Sequence, residues 1–298
     1  MKKTLIGVLC IFAVFAAKAQ HFPLFSQYMF NGLVINPAYA TGQDGLNAIM
    51  YYKKQWVGFE GTPSTLSGTL QSTLKKEKIS IGLIFLNDTY GLKTQNDLSG
   101  SFAYRINTGK GKLGLGISGG MSAIYNDQNK INTTDNGDPA FSGTNNYKVL
   151  PKIGMGLYYN TPNFFSGISI PQWLIYDKET HTTGILARSL VGYSGYSLKI
   201  NPQITITPSL LIKFLSATPA QVDYNLTATW KKIITAGVSY RMYNAVVFLF
   251  QYHWENFALG YAYDYTIGPI SKYTAGSHEF MISYAIKYEV SVPDPKKF

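Results

Sequence analysis

The feature that most constrains this 298-residue chain is a set of ten-residue stretches in which apolar and polar residues alternate. In 97–106, Leu98, Gly100, Phe102, Tyr104 and Ile106 alternate with Asp97, Ser99, Ser101, Ala103 and Arg105. In 222–231, Val222, Tyr224, Leu226, Ala228 and Trp230 alternate with Asp223, Asn225, Thr227, Thr229 and Lys231. Segments 257–266 and 279–288 repeat the pattern. A period of two puts successive side chains on opposite faces of a strand. One face is therefore apolar throughout, and the other is built of Ser, Thr, Gly, Asp and Arg. A soluble sandwich or propeller would carry charge on its outward faces. Lipid on one side and a polar lumen on the other accounts for both faces.

Composition points the same way. Charged residues make up 14% of the chain, against about 25% in ordinary globular domains, and aromatic residues 15%, with 23 tyrosines. After residue 19 no apolar run reaches the roughly 20 residues of a spanning helix. Only helices and closed barrels satisfy their backbones in lipid. The expected fold is all-β: a transmembrane antiparallel outer-membrane β-barrel of about 14 strands, with an N-terminal non-strand segment acting as plug or cap. The strands are placed near 45–55, 64–74, 78–88, 97–107, 112–125, 151–160, 163–173, 185–198, 202–215, 221–231, 233–243, 245–254, 256–266 and 278–289. Pro171 and several glycines interrupt the seventh and eighth. Connections should alternate between tight periplasmic turns and longer external loops at 56–63, 89–96, 126–150, 174–184, 216–220 and 267–277. Tyr243-Asn244 is the one tight exception. This alternation puts both termini in the periplasm, the opening segment included.

Residues 1–19 read as a secretory signal peptide. Lys2 and Lys3 precede an apolar run, and Ala17-Lys18-Ala19 supplies a cleavage site. Cys10 lies inside the apolar run after Leu9, which does not fit a lipoprotein signal. Cleavage would remove the one cysteine, and with it any disulfide or thiol chemistry. It would lower the net charge from +10 to +7, since Lys2, Lys3 and Lys18 leave and no acid does. A basic exported chain points to a basic lumen, to rims that meet anionic headgroups or to an acidic partner, and not to nucleic acid. The division is then 1–19 signal, 20–43 plug or periplasmic segment, 44–290 barrel and 291–298 periplasmic tail. The expected location is the outer membrane of a Gram-negative bacterium, with outer-membrane lipid as the surroundings.

Residues 20–42 are broken by Pro23, Gly32, Pro37 and Gly42, and loaded with Phe22, Phe25, Tyr28, Met29, Phe30 and Tyr39. So much apolar surface needs a place to be buried. Eight strands give a barrel just filled by its own side chains. Fourteen leave a lumen to be occupied by water, by this segment, by loops or by a partner. The inward charges Arg105, Lys213, Asp223, Arg241, Asp264, Glu279 and Lys287 carry both signs. They can pair with one another or offer a polar surface to a peptide.

Catalytic signals are thin. Of His21, His181, His253 and His278, only His253 is placed within a strand, on a face with Ala245, Val247, Leu249 and Gln251, and nothing forces the Ser–His pair and orienting polar residue that a barrel phospholipase would need. The loop residues Asp127, Asp135, Asn136, Gly137 and Asp138 do not meet the EF-hand pattern. No enzymatic role, cofactor or metal is expected.

Two blocks carry a resemblance. Phe25-Ser26-Gln27-Tyr28-Met29-Phe30-Asn31 and Asn36-Pro37-Ala38-Tyr39-Ala40 resemble the N-terminal signature of the PorP/SprF family, outer-membrane proteins of the type IX secretion and gliding systems of Bacteroidetes. Gln55 to Pro63, Asn87-Asp88 with Gly91, Asp138 to Phe141, Gly154 to Tyr159 and Phe165 to Ser169 follow in order. Ala40-Thr41-Gly42 departs from the family's Ala-Gly by one residue. The resemblance implies a non-enzymatic role: secretion or surface retention of proteins bearing C-terminal sorting domains, such as gliding adhesins, together with other components on the periplasmic side. Candidate plug or partner residues are Phe25, Gln27, Tyr28, Phe30, Asn31, Asn36, Pro37 and Tyr39. Candidate external contacts are Trp56, Phe59, Tyr125, Phe141 and Tyr147. A passive porin or solute transporter, and a docking post for the periplasmic ring of the machine, are the alternative roles.

Overall fold

A computed structural model describes residues 25–58, 60–74, 78–127, 146–174, 189–215 and 219–286. The expected signal peptide, Phe59, Phe141, Lys287, His181, most of the loop 126–150 and the tail 291–298 lie outside the described residues.

Fifteen strand segments form one antiparallel sheet. In order they are β1 (Leu46–Lys54), β2 (Ser64–Leu74), β3 (Ile79–Tyr90), β4 (Lys93–Thr108), β5 (Gly111–Asn126), β6 (Asn146–Asn160), β7 (Phe164–Leu174), β8 (Ser189–Tyr196), β9 (Leu198–Lys199), β10 (Ile204–Leu215), β11 (Gln221–Trp230), β12 (Ile234–Arg241), β13 (Ala245–Trp254), β14 (Phe257–Thr266) and β15 (Ser277–Ile286). β8 and β9 both pair with β10 and together make a single stave, so the wall has fourteen. β1 pairs with β15 from Leu46↔Ile286 to Lys54↔His278, and the ring closes with no free edge. The all-β, fourteen-stranded outer-membrane barrel read from the sequence is the observed fold.

The faces fall as the alternation requires. Leu98, Phe102, Ile117, Phe248 and Leu259 are exposed on the outside, while Asp97, Ser101, Asp223 and Ala262 are buried within. Tight turns at 109–110, 161–163, 200–203, 231–233 and 255–256 mark one mouth, and the longer connections mark the other.

Two boundaries differ from expectation. The stretch 89–96 is a hairpin turned at Gly91-Leu92, with Tyr90↔Lys93 to Asn87↔Asn96 in register. β6 likewise begins at Asn146, paired with Asn126, rather than at 151. In both places polar residues such as Asn87, Asn96, Asn126 and Asn146 extend the strands past the apolar belt. At Lys93 to Asn96 every residue is polar, so alternation disappears while pairing continues. The irregularity at Pro171 is present: the β6–β7 register shifts between Ile153 and Met155. Proline cannot donate to the ladder and is confined to such breaks.

Candidate functional site

Residues 25–43 lie against the inward faces of the strands. Pro37 and the glycines forbid a continuous helix, and three short 3-10 turns take its place: Tyr28–Phe30, Gly32–Val34 and Pro37–Gly42. These turns satisfy much of their own backbone, as in Asn31 N–H to Tyr28 O at 3.0 Å and Ile35 N–H to Gly32 O at 3.1 Å. Asn36 caps the third, its Oδ1 accepting the Ala38 N–H at 2.9 Å, with Pro37 at the first helical position.

The segment has a direction. Phe25 stacks on Tyr51 at 4.9 Å, and the Ser26 and Gln27 amides donate to Glu279 at 2.6 and 2.9 Å. Tyr51 and Glu279 belong to the loop-bearing halves of β1 and β15. Farther along, Asn31 Nδ2 donates to Thr69 Oγ1 at 2.8 Å, and Asn36 Nδ2 to Leu157 O at 2.8 Å. At the far end, Gln43 O accepts from Thr73 Oγ1 at 2.6 Å and from Arg105 at 3.2 Å, beside the tight turns. The chain therefore runs from the loop-bearing half down to the mouth where β1 starts.

The wall is cut to receive it. An ideal Cβ on Gly116 would stand 2.3 Å from Ala38 N, and one on Gly114 2.1 Å from Thr41 Oγ1. On Gly156 it would meet Asn36 Oδ1 at 2.1 Å, and on Gly260 Gln27 Oε1 at 2.3 Å. Glycine within a strand marks a close approach from outside it: Gly116 and Gly114 make room for the backbone at Pro37 and Ala38, and Gly156 and Gly260 for the side chains of Asn36 and Gln27. Apolar contact fills in the rest. Tyr28, Leu33, Ile35, Ala38 and Tyr39 form one cluster with Tyr158, Tyr193, Val191 and Leu211, and Phe25 joins Ile49, Tyr51, Leu86 and Met281 in another.

At the loop-bearing end the segment closes over a buried charge cluster. Lys53 Nζ lies 3.0 Å from Asp264 and 3.4 Å from Glu279, and donates to Ser26 Oγ at 2.7 Å. Ser26 Oγ donates in turn to Asp264 at 2.6 Å. Arg241 bridges Asp264 at 3.2 Å and Asp223 at 3.3 Å. Each cation of the cluster faces two carboxylates, and Asp264 is shared between them, the kind of pairing that charges withdrawn from water require. Lys152–Asp97 at 2.5 Å and Arg105–Asp44 at 3.0 Å are further ion pairs among the described residues. Above the cluster lies a cavity of about 470 Å³, lined by Trp56, Lys213, Arg241, Asp264 and Ile270 among others.

All eight candidate residues of the segment are thus brought together: Phe25, Gln27, Tyr28, Asn31, Asn36, Pro37 and Tyr39 are buried and Phe30 partly so. The external candidates are scattered. Trp56 lines the cavity just described. Tyr125 and Tyr147 face each other across β5 and β6, with Tyr147 exposed. Lys53 and Lys152 were not among the inward charges expected, whereas Asp97 lies on the polar face where the alternation put it. Tyr51-Tyr52-Lys53-Lys54 repeats each residue type, so alternation cannot say which of a pair points inward. His253 is half-buried near the tight-turn end of β13, and no hydrogen bond of its side chain is observed.

A family model described as type IX secretion system membrane protein PorP/SprF matches residues 17–284. Among curated proteins, none matches the sequence. The CymD monoaromatic hydrocarbon channel superposes with a TM-score of 0.51 at 13% identity, over 90% of this chain and 94% of that one. A mutant of the TodX monoaromatic hydrocarbon channel gives 0.53 at 11%, over 87% and 94%. A Pseudomonas aeruginosa FadL homologue gives 0.50 at 12%, over 92% and 96%. At these identities the likeness is one of fold.

Proposed function

Because the chain belongs to the PorP/SprF family of type IX secretion system membrane proteins, we propose that it is a non-enzymatic outer-membrane anchor. In this reading it supports secretion or surface retention of a cargo protein through the cargo's C-terminal sorting domain, alongside other secretion components. The observation that carries the reading is the glycine-lined seat of residues 25–43. A wall shaped around its own N-terminal segment suits a barrel with a resident plug better than an open conduit. The cargo is then met from outside, at the loop-bearing mouth. Trp56 and the 470 Å³ cavity are there, and Tyr125 and Tyr147 stand at the base of the long loop.

Two measurements test this. Purified protein in planar bilayers should show no steady conductance; a stable open channel would favour the passive porin or solute-transporter reading, the role that the printed names of CymD and TodX give those two proteins. Deleting residues 128–145 should release the cargo from the cell surface while the barrel still assembles, and unchanged retention would remove the loop from the argument. The docking-post reading is compatible with the anchor, since it uses the opposite mouth.

A further inference from the structure

Two adjoining turns at the tight-turn mouth carry a feature that the secretion role does not call for. β11 ends at Trp230, and the turn to β12 is made by Lys231 and Lys232 at φ 49° and 60°, closed by the Ile233 N–H to Trp230 O at 2.9 Å. Turns with two consecutive positive-φ residues ordinarily use Asn-Gly or Asp-Gly, because a side chain at Cβ is crowded there. Here a lysine stands at each position. The neighbouring turn, which follows Lys199, is tied to this one by the Lys231 N–H donating to Gln203 O at 2.6 Å. On the other side, His253 N–H donates to Ile233 O at 2.7 Å and brings Trp254 alongside.

The patch therefore holds two exposed lysines, Lys231 and Lys232, between two outward-facing tryptophans that are 44% and 63% exposed. Among these turns and the 255–256 turn beside them there is one acid, Glu255. The direction of the lysine charge decides what it meets. Lys231 Nζ lies 4.7 Å from the centroid of the Trp230 ring, on the lipid-facing side of the wall, and so bends back toward the membrane rather than out into the periplasm. Tryptophans at this level sit among headgroups, and lysines beside them carry their charge into the same layer.

We propose that Lys231 and Lys232, with Trp230 and Trp254, form a binding site for the headgroup phosphate of an anionic phospholipid in the periplasmic leaflet. An acidic protein face would be met by lysines directed away from the membrane, and the placement of Lys231 over Trp230 argues against that. The site is on the outer rim and shares no residue with the lumen segment, so it stands or falls independently of the anchoring role.

The test is native mass spectrometry of the intact detergent-solubilised barrel, titrated with phosphatidylglycerol and, separately, with phosphatidylcholine. The double variant Lys231→Asn/Lys232→Gly restores the residues the turn geometry favours, so the barrel should fold at least as well. A lysine near an anionic surface contributes about 1 kcal/mol, or roughly fivefold, so the variant should lose roughly 25-fold in phosphatidylglycerol affinity with phosphatidylcholine unchanged. The proposal is overturned if the parent protein shows no preference for phosphatidylglycerol, or if the variant keeps it. Loss of a co-purifying acidic protein from the variant, with lipid preference intact, would overturn it equally.

Discussion

Glu279 of the last strand receives the backbone N–H of Ser26 at 2.6 Å, joining the two ends of the described chain inside the barrel. The same carboxylate takes the Gln27 N–H at 2.9 Å and faces Lys53 at 3.4 Å. Glu279→Ala removes two amide acceptors and half the compensation for a buried ammonium. Breaking a buried pair from one side costs about 3–5 kcal/mol. The expected result is a barrel that still forms but whose residues 25–43 are cleaved by added protease much faster than in the parent. Equal cleavage rates in the two proteins would show that Glu279 does not hold the segment.

Lys53 and Glu279 should behave as a coupled unit. Lys53→Met alone leaves Asp264 and Glu279 facing each other without a cation between them. Adding Glu279→Met should bring back part of the loss, with an interaction energy of about 0.5–3 kcal/mol. Urea midpoints of the two single variants and the double, measured in one detergent, give that energy directly. Strict additivity would mean that the two groups are solvated separately.

The glycine seat makes a paired prediction. Gly116→Val places side-chain atoms where Ala38 N already lies within 2.3 Å of the ideal Cβ. The segment must then leave its seat or the wall must distort. We expect conductance to appear in planar bilayers, or assembly to fail. Gly119→Val on the same strand meets nothing within 4 Å and should be silent. If both substitutions behave alike, the seat is not selective.

A cross-link tests whether the segment moves during function. Asn31 Nδ2 and Thr69 Oγ1 are 2.8 Å apart, so Asn31→Cys/Thr69→Cys, made together with Cys10→Ser, sets two thiols on facing side chains. If residues 25–43 are a fixed plug, oxidation should leave cargo retention at the cell surface unchanged. Retention that falls on oxidation and returns on reduction would reveal a segment that must shift.

The fold was legible because lipid and lumen impose opposite chemistries on alternate residues of every stave that crosses the membrane. At Lys93 to Asn96 every residue is polar and that contrast vanishes, so the start of β4 could not be read from the pattern. The lumen segment was legible as apolar material without a strand or helix period. Its direction was not, because nothing in Phe25 to Gln43 says which end meets Glu279. Gly114, Gly116, Gly156 and Gly260 held the missing signal: glycines on an inward face leave the room that a segment lying against it fills. Lys53 was hidden by duplicated residue types, and its role depends on partners more than 200 positions away.

Lys53 and Glu279 are also direct partners in the β1–β15 register, the pairing that closes the ring. Seating Ser26 and sealing the last seam therefore draw on the same few atoms. A ring zipped up with residues 25–43 outside would bury Lys53, Asp264 and Glu279 without the hydroxyl and amides that complete their hydrogen bonding. The segment would then have to be threaded into a finished lumen and find each glycine recess in turn. The cheaper order of assembly runs the other way: the strands gather around the N-terminal segment, and the first and last close over it together.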